Sequence, residues 1–129
     1  MRYKLSIIMP AFNEEATLEA IVRKVMKYND VHQLIIVNDA STDSTPEIIK
    51  LLAEEYPCIE VINHLNNSGK TAALKTGFKI ILGNVVVIQD ADLEYDPEEI
   101  PSLIEPIVKG FADVVFGSRF RIRKTGRVM

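Results

Sequence analysis

Short apolar runs rich in Ile and Val alternate with stretches of helical period along the chain, and this alternation constrains the fold more than any other feature. Leu5 to Met9, Leu34 to Val37, Ile59 to Ile62, Val85 to Ile88 and Val114 to Phe116 read as strands. The unbroken apolarity of Val85 to Ile88 predicts burial on both faces. Between the first two runs, Asn13 stands where an N-cap belongs, and Leu18, Ile21, Val22, Val25 and Met26 fall at helical spacing. Ser44-Thr45-Pro46-Glu47 has the pattern of a capping box, followed by Ile48, Ile49, Leu51 and Leu52. Thr71 to Leu82 reads as a third helix with Gly77 inside it. Asp96-Pro97-Glu98-Glu99 opens a fourth, lined by Ile100, Leu103, Ile104, Ile107 and Val108, strained at Pro106 and ended by Gly110. Strands alternating with helices in this way predict an α/β domain. Its sheet is mostly parallel, its crossovers are right-handed, and helices cover both faces.

Composition matters mainly for what it excludes. A chain of 129 residues fits one domain, and 47% hydrophobic content with a net charge of −3 supplies a core and argues against disorder. Cys58 is the only cysteine, so no internal disulfide exists, and such usage suits a reducing, cytoplasmic setting. The longest apolar runs fall far short of the ~20 residues a membrane span needs. No charged region followed by an apolar one marks a secretory signal at the start. Trp is absent, and Tyr and Phe are scattered, which argues against a base-stacking nucleic-acid platform. One asymmetry remains: Arg119, Arg121, Arg123, Lys124 and Arg127 occupy residues 119–129 with no acid among them, a basic arm on an acidic body.

In open α/β sheets, ligands bind beyond the carboxyl ends of the strands. Here four strands run into polar clusters on that one edge: Pro10 to Glu14, Asn38 to Asp43, Asp90 to Glu94 and Gly117 to Arg119. Asp90-Ala91-Asp92 is the most telling. Two carboxylates one residue apart beyond a buried strand need a cation or hydrogen-bond donors, and hard oxygen ligands suit Mg²⁺ or Mn²⁺. Glu94 offers a further oxygen, while Asp96 serves as a helix cap. Asn67 to Thr71 lacks the first glycine of a phosphate-binding P-loop, since His64 stands at that position. What remains is a helix start with small residues and Lys70, which can meet an anion. No dinucleotide-type glycine fingerprint occurs. His32 and His64 read as structural or exposed, and Cys58 as a packed small residue.

Together the segments Ile8 to Glu14, Val37 to Thr45, Asn67 to Gly77, Gln89 to Pro97 and Gly117 to Phe120 resemble the family 2 glycosyltransferases of the GT-A fold. The likeness is greatest to the dolichol-phosphate mannose synthase and polyprenyl-phosphate glycosyltransferase branch. Asn38 departs from the pattern, standing where many relatives have the first Asp of a pair. The resemblance implies inverting sugar transfer from a nucleoside-diphosphate donor, GDP-mannose or a UDP-sugar. Polyprenyl or dolichyl phosphate is the implied acceptor, at a membrane face. It casts Pro10, Phe12 and Glu14 as nucleotide-pocket residues and Asp39 as the reader of the base. Asp90 then lies near the ribose and the metal, Asp92 and Glu94 hold the divalent cation, and Ser118 and Arg119 face phosphate. It further implies a division into a donor- and metal-binding domain over 1–118 and the start of an acceptor-side region over 119–129, with the fold cut off after the fifth strand. A non-catalytic nucleotide-sugar binder is the main alternative. A nucleotidyltransferase is less favoured, because the loop at Pro10 to Glu14 has neither glycine nor arginine.

Overall fold

The computed structural model describes residues 4–27, 30–91, 112–116 and 121–123. The strands are β1 (Leu5–Ala11), β2 (Val31–Asn38), β3 (Ile59–Asn63), β4 (Val85–Ile88), β5 (Ala112–Phe116) and β6 (Arg121–Arg123). The helices are α1 (Leu18–Met26), α2 (Thr45–Glu55) and α3 (Lys70–Phe78). They build one six-stranded sheet in the order β3-β2-β1-β4-β5-β6. All neighbouring pairs from β3 to β5 are parallel, and β6 pairs antiparallel with β5.

The chain steps from β1 to β2 to β3 in one direction and then returns past β1 to β4. Right-handed crossovers put helices on opposite faces when the direction of travel reverses. Accordingly, α1 and α2 cover the face made by Leu5, Ile7, Met9, Leu34, Ile36 and Val87, against which Leu18, Ile21, Val22, Val25, Ile49 and Leu52 pack. On the other face, Ala73 of α3 packs with Ile8, Ile35, Val37 and Val86. Neighbouring residues of β1 thus serve opposite cores, which is why the central strands are apolar without alternation. Gly77 lets α3 lie close to the sheet, because a Cβ there would stand 2.7 Å from Ile8 Cγ2. That close approach accounts for a glycine inside a helix despite a propensity cost of about 1 kcal/mol.

The amino edge of the sheet holds a closed polar network. The Gln33 side chain is 1% exposed. Its Oε1 accepts from Ser6 Oγ at 2.7 Å and from the Leu82 amide at 2.9 Å. Its Nε2 donates to Glu60 Oε1 and to the Ile80 carbonyl, both at 2.9 Å. Ser6 Oγ in turn accepts from the Gly83 amide at 2.8 Å.

Several sequence expectations are corrected. Helix α3 runs Lys70–Phe78 and not on to Leu82, because Gln33 takes the Ile80 carbonyl and the Leu82 amide. Asn13 is not an N-cap: α1 begins at Leu18, and Asn13 adopts φ 52° with its side chain turned to the neighbouring loop. The capping box does not close either. Ser44 makes no side-chain cap bond, and Asp43 Oδ1 instead accepts from the Thr45 amide at 2.8 Å. The sheet does not stop after its fifth strand, since Arg121–Arg123 of the basic arm forms β6. The expected helix from Asp96 lies outside the described residues. No helix among the described residues is long and apolar enough to cross a membrane.

Candidate functional site

The site lies at the carboxyl edge, where strand order reverses between β1 and β4. Two loops there are tied together reciprocally. The amides of Asn13, Glu14 and Glu15 donate to Ser41 Oγ at 3.0 Å, Thr45 Oγ1 at 2.9 Å and Asp43 Oδ2 at 3.3 Å. In return, the amides of Thr42 and Ser44 donate to Asn13 Oδ1 at 2.8 Å and Glu15 Oε1 at 2.9 Å. The residues that looked like caps in the sequence thus stitch one loop to the next. Burial raises the Asp43 carboxyl, but the donors at Thr45 and Glu15 outweigh it and hold it below the usual carboxylate value. Ala40 adopts φ 62°, a left-handed conformation that costs an L-residue about 1 kcal/mol.

Asp39 is the most buried acid of this edge among the described residues, at 4% exposure. Its Oδ1 accepts from the Ser68 amide at 2.9 Å, and its Oδ2 from the Gly69 amide at 2.8 Å. His64 Nδ1 lies 2.8 Å from Oδ1. Gly69 has φ 93°, which turns these successive amides onto one carboxylate and at the same time starts α3. Burial pushes the Asp39 carboxyl up, but His64 and the two amides more than offset it and keep it below its ordinary value.

Lys70 is the first residue of α3, and Asp90 follows β4. Lys70 Nζ lies 2.7 Å from Asp90 Oδ1, with side chains 56% and 20% exposed. An ammonium and a carboxylate therefore meet, open to solvent, across the gap between α3 and β4. The start of α1 is tied to the same place, because Thr17 Oγ1 donates to the Ala91 carbonyl at 2.8 Å. Such an edge can receive an anion at the lysine and a cation at the carboxylate, in contact with each other.

The glycosyl transferase family 2 model matches residues 6–129. The chain belongs to glycosyl transferase family 2. This family-2 chain is 37% identical over 119 residues to a dolichol-phosphate mannosyltransferase of Pyrococcus furiosus, covering 91% of the chain and 33% of that protein. It is 32% identical over 128 residues to a dodecaprenyl-phosphate galacturonate synthase of Rhizobium johnstonii, covering 95% of the chain and 38% of the relative. It thus spans about a third of these relatives' length. In fold it is similar to a mannosyltransferase from Pyrobaculum calidifontis, solved with GDP-Man and Mn2+. The TM-score is 0.77 at 24% identity, over 87% of the chain and 34% of that structure. It is also similar to glucosyl-3-phosphoglycerate synthase from Mycobacterium tuberculosis, solved with Mn2+, UDP and glucosyl-3-phosphoglycerate. There the TM-score is 0.70 at 27% identity, over 84% of the chain and 40% of that structure.

Within the family-2 fold, the structure places Pro10 near the end of β1, half-buried, Phe12 just beyond it at 43% exposure, and Glu14 half-buried at the turn into α1. It brings Lys70 and Asp90 into contact and gives both Asp39 oxygens internal donors. Asp92, Glu94, Ser118 and Arg119 lie outside the described residues. No group of three metal-capable His, Cys, Asp or Glu side chains occurs among the described residues. Asp90 is the one expected ligand described, and its hard, partly exposed oxygens fit a divalent cation. Cys58 is packed as expected, with Sγ 3.7 Å from Met26 Sδ and burial pushing its thiol up. Of the two histidines, His32 is exposed, but His64 is part of the site, which its sequence surroundings did not reveal.

Proposed function

We propose that the chain is the donor- and metal-binding part of an inverting glycosyltransferase that moves a sugar from GDP-mannose or a UDP-sugar to a polyprenyl or dolichyl phosphate. The observation that carries this reading is the Lys70–Asp90 contact beside the Asp39 turn at the strand-order reversal, the crevice where α/β sheets take nucleotides. Relatives named for dolichol-phosphate and dodecaprenyl-phosphate sugar transfer support the acceptor class.

In this reading Pro10, Phe12 and Glu14 line the nucleotide pocket, and Asp39 reads the base from the wall it organises. Asp90, Asp92 and Glu94 hold Mg²⁺ or Mn²⁺. When bound, that ion supplies positive charge to the departing diphosphate. Lys70 adds a second positive group at the helix start, where backbone amides also favour an anion. Ser118 and Arg119 face phosphate at the transfer end, and a guanidinium can hold its oxygens in a fork. An acceptor phosphate is already an anion, so no dedicated base is required to make it a nucleophile. The basic arm then draws the acceptor headgroup and an anionic membrane surface, and the protein works peripherally at the cytoplasmic face.

The test is charge reversal at Arg119 and Arg121 together. Flotation with vesicles containing polyprenyl phosphate should show weakened binding, while calorimetric affinity for GDP or UDP stays within about twofold. Unchanged vesicle binding would contradict the acceptor assignment. The alternative is a nucleotide-sugar binder without transfer. Metal-dependent binding with no transfer of labelled sugar would favour it.

A further inference from the structure

We infer that His64 is a positioning residue for the nucleotide side of the site: bonded through both ring nitrogens, it clamps Asp39 to α3 and so fixes the turn from which Lys70 enters the crevice. Its functional consequence rests on the donor-binding reading, whereas the hydrogen bonds that define it do not.

His64 follows β3 directly, and its amide donates to the Asn38 carbonyl at 2.9 Å, so the ring leaves from a backbone still paired to β2. The side chain is 15% exposed. Nδ1 lies 2.8 Å from Asp39 Oδ1. Asp39 is held ionised by its donors, and a carboxylate only accepts, so Nδ1 carries a proton. Nε2 lies 2.8 Å from Thr76 Oγ1. Thr76 Oγ1 also lies 3.0 Å from the Ala72 carbonyl, which holds the hydroxyl in place on α3.

The ring thus bridges two elements. Among the described residues, Asp39 at the end of β2 is the charged group in ion-pair contact with the ring, and α3 offers the neutral Thr76. The consequence travels a short way. Asp39 holds the Ser68 and Gly69 amides, Gly69 begins α3, and Lys70 follows it with Nζ on Asp90. Releasing the ring leaves Asp39 tied to the turn but no longer anchored to the second turn of α3.

The experiment uses the chain with ¹⁵N-labelled histidine and the variants His64→Ala, His64→Asn and Thr76→Val. Asparagine keeps a donor for Asp39 but falls short of Thr76, and the valine removes the partner at Nε2 without touching the ring. Nitrogen chemical shifts should show Nδ1 protonated, as its bond to a carboxylate requires. His64→Ala should weaken GDP or UDP binding about tenfold and speed amide exchange at Ser68 and Gly69, with His64→Asn restoring most of both. Thr76→Val should weaken binding less than His64→Ala, because Nδ1 still holds Asp39. An unprotonated Nδ1, or a His64→Ala protein with wild-type affinity and amide protection, would overturn the assignment. If the wild-type protein binds neither nucleotide, the donor-binding reading fails, and ring protonation with amide protection still decides the positioning role. If His64→Ala does not fold, Thr76→Val and His64→Asn supply the comparison.

Discussion

The two edges of the sheet solve the same problem of buried polar groups in opposite ways. At the amino edge, Gln33, Ser6 and the backbone of residues 80–83 satisfy one another around a side chain that is 1% exposed, with Glu60 the only charged member. At the carboxyl edge, the groups that organise the loops are Asp39, Asp43 and His64, and the ion pair Lys70–Asp90 stands open to solvent. Two non-glycine residues with positive φ, Asn13 and Ala40, lie at this edge as well. A closed network built mainly of uncharged groups serves the fold, whereas charge and backbone strain collected around an open pair provide for a ligand.

The contrast can be broken by substitutions that separate stability from binding. Gln33→Leu should cost the most, about 3 kcal/mol in urea unfolding, because it strands Ser6, the Leu82 amide and the Ile80 carbonyl. GDP and UDP affinity should not change. An unaltered midpoint would show that the amino-edge network is not structural. Lys70→Ala should do the reverse. Nucleotide affinity should fall about tenfold, near 1.4 kcal/mol, while the unfolding midpoint stays in place, since the lysine is more than half exposed.

Acid titration sharpens the comparison further. The Asp39 and Asp43 carboxyls lie below their ordinary values in the folded chain. Their stabilisation is therefore complete above the ordinary carboxylate range and is lost as pH falls through the lowered folded values. Unfolding measured from neutral pH downward should show stability dropping below about pH 4, and Asp39→Asn should flatten that drop. An equally steep acid limb in the variant would remove Asp39 from the account. The smallest effect belongs to Ala40→Gly, which should stabilise by about 0.5 kcal/mol by relieving the left-handed backbone, net of glycine's extra entropy. A loss of stability there would mean the alanine side chain matters more than its backbone angle.

How much of this was legible in the sequence follows the range of the forces involved. Val85–Ile88 is found as expected, and the cores of β1, β2 and β3 fall within one to three residues of their apolar runs, because buried parallel strands write continuous apolarity. Helix starts were less legible. Asn13 and Ser44 have capping chemistry, yet Asn13 is engaged with Thr42, 29 residues away, and the Ser44 amide with Glu15, also 29 away. Local pattern cannot display such partners. The same holds for His64, whose contacts at Asp39 and Thr76 lie 25 and 12 residues off. Strand β6 escaped notice because Arg121-Ile122-Arg123 has too little apolar content to stand out from a basic arm. The polar clusters at the carboxyl edge, by contrast, were readable from strand ends alone, and Lys70 and Asp90 meet there.

The most direct test of the central claim is calorimetric titration of the 129-residue chain with GDP-mannose and with UDP-sugars, each with and without Mn²⁺. Saturable binding of one donor class is expected, strengthening at least about tenfold with the metal and weakening in Lys70→Ala. Absence of binding by every nucleotide sugar, with the chain shown to be folded, would contradict it.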